Sequence, residues 1–310
     1  MITEQCKNKV YFSNLLHFDY PRLYKDICDI LDANNVVHST LPLTKDYWCR
    51  DYMPVQCARN RFVQFIYNPD YLIGSDEYIT DADKVFERIK NEDNVIRHSL
   101  LKIDGGNIVV CEIDNERSMV VLTDKVMMEN PRLSKSEIET QIKKIFDFGE
   151  YTSMNKSLII LWLPWDTKDV CGHTDGILRF VGINDQGKPV VLTNLSVYDK
   201  DIANGMRSVL KEYFEVKELE LSEYNDLSWA YINSLQTRDI IIVPGIGNYK
   251  LDNEAMSQIK SLYPQYENRI YQVQMKRFIR KWGGALNCCT WTVNDEISVG
   301  NPYGDEPIMP

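Results

Sequence analysis

Val120-Val-Leu-Thr123-Asp124 returns further along the chain as Val190-Val-Leu-Thr193-Asn194. Each run reads as the second strand of a hairpin, because β-branched and apolar residues suit a half-buried pleated strand. The first hairpin starts at Ile108-Val-Val-Cys111 and turns at Asp114-Asn115; the second starts at Ile177-Leu-Arg-Phe-Val181 and turns at Asn184 to Gly187. A candidate helix follows each. Just ahead of each stands a compact polar motif: Asp104-Gly-Gly-Asn107 in one, Gly172-His173-Thr-Asp175-Gly176 in the other. Three further stretches repeat the arrangement. Trp48-Cys-Arg50-Asp51-Tyr-Met-Pro54 precedes Val55–Cys57 and Phe62–Tyr67, and Tyr231-Ile-Asn233-Ser234 precedes Leu235-Gln236 and Ile240–Val243. The third, Trp282-Gly-Gly-Ala-Leu-Asn-Cys288, precedes Cys289–Val293, a turn at Asn294-Asp295, and Ile297–Val299. Modules of this kind must stack on neighbours to bury their apolar faces, and a closed ring leaves no unprotected end. The expectation is an α/β fold of five modules around an axis, with the polar motifs converging at its centre.

Elsewhere strand-like and helix-like stretches alternate. Val10–Leu15 reads as a strand, and Tyr20–Ala33 as a helix with Leu23, Ile27, Ile30 and Leu31 on one face. Ser134 and Glu137 form a capping-box pattern ahead of Ile138, Ile142 and Ile145. Asp199 and Asp252 are candidate caps for two later helices, and Leu158–Leu163 is a short buried strand closed by Pro164.

The chain has 310 residues, 44% hydrophobic and 26% charged, and no linker interrupts it, so 1–310 reads as a single catalytic domain. A net charge of −10 argues against nucleic acid as a partner. No apolar run approaches a membrane span, and the amino terminus does not read as a secretory signal. The eight cysteines have no zinc-ribbon or Cys-x-x-Cys spacing and suit free thiols in a reducing cytoplasm.

Pooled at one centre, the motifs supply a thiol, an imidazole, several carboxylates and two carboxamides. A thiol with an imidazole is a nucleophile and its proton carrier. Two carboxylates beside a thiolate need a cation to neutralise them, and a planar guanidinium matches carboxylates bidentately. The set therefore points to sulfur attack on the carbon of a bound guanidinium.

These residues carry a resemblance. Trp48-x-Arg50-Asp51-x-x-Pro54, Asp104-Gly-Gly-Asn107, Gly172-His173-x-Asp175 and Gly283-Gly-x-x-x-Cys288-x-Thr290 are similar to the signatures of the agmatine deiminase and bacterial peptidylarginine deiminase family, within the guanidino-group-modifying superfamily. The resemblance implies a five-bladed α/β propeller of pseudo-symmetric ββαβ modules around a central active site. It implies that Cys288 is the nucleophile, His173 the general acid and then base, and Asp51 and Asp175 the guanidinium clamps. Neither metal nor organic cofactor is implied, and the partner is a small cationic guanidino substrate such as agmatine, arginine or peptidyl arginine. Three positions depart from the family pattern: Met53 stands for Gly, implying a narrower or re-shaped approach to the pocket, Asn287 for His, and Asp104 for Glu.

Trp48 as a pocket wall, with Asp104, Asn107, Asn233 and Asp169, completes the candidate substrate contacts. Cys289 is expected to face away from Cys288, since neighbouring strand side chains alternate. The rival functions are an amidinotransferase using the same site, a catalytically silent guanidinium binder and, more remotely, a zinc hydrolase. Oligomeric state is not readable from the sequence.

Overall fold

Both Val-Val-Leu-Thr runs are central strands of three-stranded sheets in the computed structural model, which describes residues 2–149 and 157–295. In one sheet Arg117–Thr123 pairs antiparallel with Val109–Glu112 (Val120 opposite Val110) and parallel with Ser157–Leu163. In the other Pro189–Thr193 pairs antiparallel with Leu178–Ile183 and parallel with Glu215–Glu218. Val55–Ala58, Arg61–Ile66 and Val95–Lys102 repeat the pattern, as do Leu235–Gln236, Ile241–Gly245 and Ile270–Gln274. Each parallel strand is reached through a crossover containing a helix, since parallel neighbours cannot be joined by a tight turn. The unit is ββαβ.

The fifth sheet joins distant parts of the chain. Among the described residues Thr290–Val293 pairs antiparallel with Lys9–Ser13, which pairs parallel with Val37–Leu41. The expected partner Ile297–Val299 lies outside the described residues. One blade is thus built from both ends of the described chain, and Tyr11 opposite Trp291 ties the ring shut.

Shared cores show that the ring closes. Tyr11, Leu41 and Trp291 of the fifth sheet pack with Phe62 and Phe86 of the next blade. Val63, Phe65 and Leu101 pack with Val120, Leu122 and Ile142. Val121 and Leu163 pack with Leu178, Val191 and Met206, and Val190 and Leu192 join Ile241, Val243, Ile270 and the returning Val10 and Phe12. Every blade buries its two faces against its neighbours, so the fold is a five-bladed α/β propeller.

Helix ends follow local chemistry. Ser134 accepts from the Glu137 amide while its own amide donates to Glu137 Oε2 at 2.7 Å, and Ile138, Ile142 and Phe146 of Lys135–Phe146 turn inward. Asp199 caps Lys200–Lys211 as expected. Asp252 does not cap its helix: Asn248 does, and Tyr249–Leu262 begins a turn earlier. Asp252 is buried instead, accepting from Tyr231 Oη, Gln274 Nε2 and the Ile246 amide. The first strand also ends sooner, at Ser13, whose hydroxyl caps the short helix Asn14–Asp19. Among the described residues no helix is long and apolar enough to cross a membrane.

Trp291 stacks near Tyr11, Phe62 and Phe86 and donates its indole N–H to the Pro54 carbonyl at 2.8 Å. Trp291→Ala should therefore destabilise the ring by about 3–5 kcal/mol, the usual range for a large aromatic truncated in a core, read from the urea unfolding midpoint.

Candidate active site

A short helical or turn segment precedes the first strand of every blade: Cys49–Tyr52, Gly105–Asn107, Thr174–Gly176, Ser228–Tyr231, and the turn at 286–289. Hydrogen bonds join these segments to one another. The Gly106 amide donates to Asp51 Oδ1 at 3.0 Å, Thr174 Oγ1 donates to Asn107 Oδ1 at 2.6 Å, and the Arg50 amide donates to the Cys288 carbonyl at 3.2 Å. Asn287 Nδ2 donates to Asp175 Oδ2 at 2.6 Å, and its backbone amide donates to the Asn233 carbonyl at 3.0 Å.

Cys288 ends the last turn, nearly buried. Its amide donates to Asn233 Oδ1 at 3.1 Å and its thiol donates to the same oxygen at 3.3 Å. Its sulfur lies 4.0 Å from Asp175 Oδ2. Burial, reinforced by the negative charges of Asp175 and Asp51, pushes the Cys288 thiol well above its ordinary range. At neutral pH and without a cation the group is a thiol. Cys289 turns the other way, onto the Leu286 carbonyl.

His173 is held between two acids. Nε2 meets Asp104 Oδ2 at 3.1 Å, and Nδ1 lies 3.4 Å from Asp51 Oδ1. Burial pulls the imidazolium down, but the Asp51 charge and then the Asp104 hydrogen bond and charge outweigh it, raising His173 to about 10. Burial also pushes Asp51 up to about 8, against the pull of His173 and with the help of Asp104 and Asp175. Three carboxylates around a single imidazolium leave the cluster short of positive charge, so a further cation is favoured there.

Asp51, His173, Asp175 and Cys288 line one cavity of about 830 Å³, together with Trp48 and Asp169. The other candidate contacts stand outside that lining. Asp104 sits behind His173, where the Tyr71 hydroxyl also donates to it at 3.2 Å. Asn107 spends its carboxamide on Thr123 and Thr174, bridging two turns. Asn233 holds the backbone of Cys288. The carboxamides have scaffold contacts because the turns of a closed ring leave backbone donors that something must satisfy. Met53 does not narrow the approach: it is fully buried among Tyr52, Phe62 and Trp291.

Some site residues carried no sequence signal. Tyr71 lies in a short helical turn, Asp70–Leu72, outside the five motifs, yet it lines the cavity and touches Asp104. The glycines of Asp104-Gly-Gly-Asn107 were legible as a turn, but their reason is close approach. A Cβ on Gly106 would lie 2.5 Å from Asp51 Oδ1 and 2.8 Å from His173 Nδ1. Gly106→Ala should therefore force Asp51 and His173 apart and abolish catalysis while circular dichroism stays native. Asp104→Asn should drop the His173 titration from about 10 toward the ordinary imidazole range, visible in the nitrogen NMR shifts of its ring.

With this geometry in place, comparison with known proteins can be stated. The model of the Porphyromonas-type peptidyl-arginine deiminase family matches residues 20–293. An agmatine deiminase of Medicago truncatula is 26% identical over 227 residues, which are 62% of this chain and 57% of the relative, so the match spans little more than half of that protein. Among solved structures, the agmatine deiminase of C. jejuni superposes with a TM-score of 0.66 at 19% identity, covering 94% of each chain. That of Enterococcus faecalis gives 0.65 at 18% identity over the same shares. At these identities the structural likeness bears on the fold. The family model covers all four motifs and all of the described strands but Lys9–Ser13, and the chain belongs to the Porphyromonas-type peptidyl-arginine deiminase family.

Proposed function

We propose that this protein is a cysteine-dependent guanidine deiminase, converting a small guanidino compound and water into a ureido compound and ammonia. One observation carries the reading: a thiol, an imidazolium and two acids, Cys288, His173, Asp51 and Asp175, line a single cavity. A guanidinium entering it replaces the proton on Asp51 and forms paired N–H···O contacts with Asp51 and Asp175. Its charge also lowers the thiol, 4.0 Å from Asp175, into a range where the proton leaves to solvent.

The thiolate then forms a bond to the guanidino carbon, giving a tetrahedral adduct. His173, protonated at rest, gives its proton to one amino nitrogen, and the carbon–nitrogen bond breaks with loss of ammonia. The remaining thiouronium keeps its positive charge between the two acids. Neutral His173 next takes a proton from water as hydroxide adds to the carbon. Collapse expels the Cys288 sulfur, which takes up the adduct's hydroxyl proton to become a thiol again, and frees the ureido product. His173 ends protonated, as it began, and no step requires a metal or organic cofactor.

Asp166, Asp169, Asp199 and Asp226 line the same cavity, so its wall favours a substrate with a second cationic group. Agmatine, a guanidinium with a distal amine and no carboxylate, is the substrate this supports best. Lys168, paired with Asp199 at 3.3 Å, and Arg280 lie on the same wall and favour a carboxylate-bearing guanidine as the second reading, which makes arginine the comparison compound. We place the protein in the cytoplasm, where the pool of such small cations and a reducing setting for its thiols coincide.

Ammonia release from agmatine, arginine and a peptidyl arginine, with Cys288→Ala as control, tests the proposal: release from wild type and none from the variant is the expected result. A new guanidine appearing only when an amine is added would instead identify an amidinotransferase. Because Asp51 must be ionised to clamp the substrate and is raised to about 8, KM should fall as pH rises from 6 toward 9. Calorimetry in buffers of different ionisation heat should show proton release on binding. A pH-independent KM would remove Asp51 from the clamp.

A further inference from the structure

Behind the guanidinium clamp runs a buried chain of charge that no catalytic step uses. Asn287 donates to Asp175, and its own carbonyl oxygen accepts from Arg50 Nη2 at 3.2 Å and from Arg179 Nη2 at 2.9 Å. Two guanidinium donors on one oxygen leave that carboxamide a single orientation, with its NH₂ toward Asp175. Arg50 is itself held by Glu4, whose Oε1 lies 3.2 Å from Nη1, and by Thr292 Oγ1 at 3.0 Å. Thr292 Oγ1 also donates to Glu4 Oε2 at 2.7 Å, and Lys7 Nζ donates to Glu4 Oε1 at 2.5 Å.

Glu4 sits in a short turn, Glu4–Cys6, that is tied to three blades. Gln5 Nε2 donates to the Phe180 and Val181 carbonyls, the Arg238 amide to the Lys7 carbonyl, and Asn294 Nδ2 to the Cys6 carbonyl. Neither Glu4 nor Lys7 lines the catalytic cavity; with Arg50 they border a separate hollow of about 30 Å³. Within this cluster Glu4 is the acid that faces Lys7 and Arg50, with Arg179 near enough to add to their field. The next acid along the chain is Asp175.

We propose that Glu4 is a positioning residue for the reaction: through Arg50, Arg179 and Asn287 it sets the charge and direction of Asp175, so that this clamp holds a guanidinium rather than an internal arginine. The proposal rests on the guanidinium-clamp reading of the cleft. Glu4→Gln keeps the shape of the side chain and leaves three cations with one acid fewer. Asp175 is then drawn toward the arginines and its hold on an incoming cation weakens. The same excess positive charge stabilises a thiolate at Cys288.

The two consequences have opposite signs, which a loosened fold does not produce. The test is alkylation of Cys288 by cationic 2-chloroacetamidine and by neutral iodoacetamide, followed by peptide mass spectrometry. In Glu4→Gln the ratio of the cationic to the neutral rate should fall roughly ten-fold, the scale of one charge-assisted contact. It should return toward the wild-type ratio in Glu4→Gln/Lys7→Gln, where charge is again balanced. Lys7→Gln alone should raise the ratio, and it decides the matter if Glu4→Gln does not fold. An unchanged ratio in the folded variants, or both rates falling together, overturns the proposal. The readout needs no turnover, so failure of wild-type protein to release ammonia would count against the deiminase reading separately.

Discussion

The hydrogen bonds that join the five turns about the propeller axis are the constraint on which the site depends. Asn233 Oδ1 accepts from the Cys288 amide, the Cys288 carbonyl accepts from Arg50, Asp51 accepts from Gly106, and Asn107 accepts from Thr174. A turn that begins a blade leaves backbone donors with no partner in its own strand ladder, and at the crowded axis only the next blade's turn can satisfy them. The same contacts fix where the side chains of those turns point. Assembly of the ring and assembly of the site are therefore one event, and Gly106, whose absent Cβ leaves room for Asp51 and His173, belongs to both.

That geometry creates an electrostatic conflict around His173 and Cys288. Asp51, Asp104 and Asp175 surround one imidazole and one thiol inside the protein, where water cannot screen them. His173 responds by holding its proton to about 10, and Cys288 by staying a thiol. The site is thus charged against a thiolate at Cys288. In the proposed deiminase reading a bound guanidinium would reverse this by supplying a cation where the acids converge, and the reactivity of one thiol among eight cysteines would then depend on the ligand.

Much of the fold was legible because its units repeat. The Val-Val-Leu-Thr echo marks the central strands of two blades, and the repeat ends in Thr because the hydroxyl at that point is used: Thr123 Oγ1 accepts from Asn107 and donates to the Gly172 carbonyl. Local pairing is the natural expectation for two strand-like runs separated by a turn, but ring closure gives Thr290–Val293 a partner nearly the whole chain away. Asp252 was misread as a cap for a similar reason: its pattern fits a helix start, but a buried tyrosine hydroxyl and a backbone amide claim it.

By itself, the sequence determined which groups are present and where they fall in each module: Asp51, His173, Asp175 and Cys288 all stand just ahead of a strand, in motifs specific enough to carry the family resemblance. Their convergence follows from the repeat, since equivalent positions in a closed ring must meet at its axis. Only the tertiary structure decided what the remaining polar residues do. Asp104 proved to lie behind the imidazole, Asn107 and Asn233 between turns, and Met53 in the core. It also revealed Glu4, Arg50, Arg179 and Asn287 as one buried chain leading to Asp175. The physical reason is that a hydrogen bond across the axis joins residues from different blades, and no periodicity along a chain records which neighbour a side chain will find there.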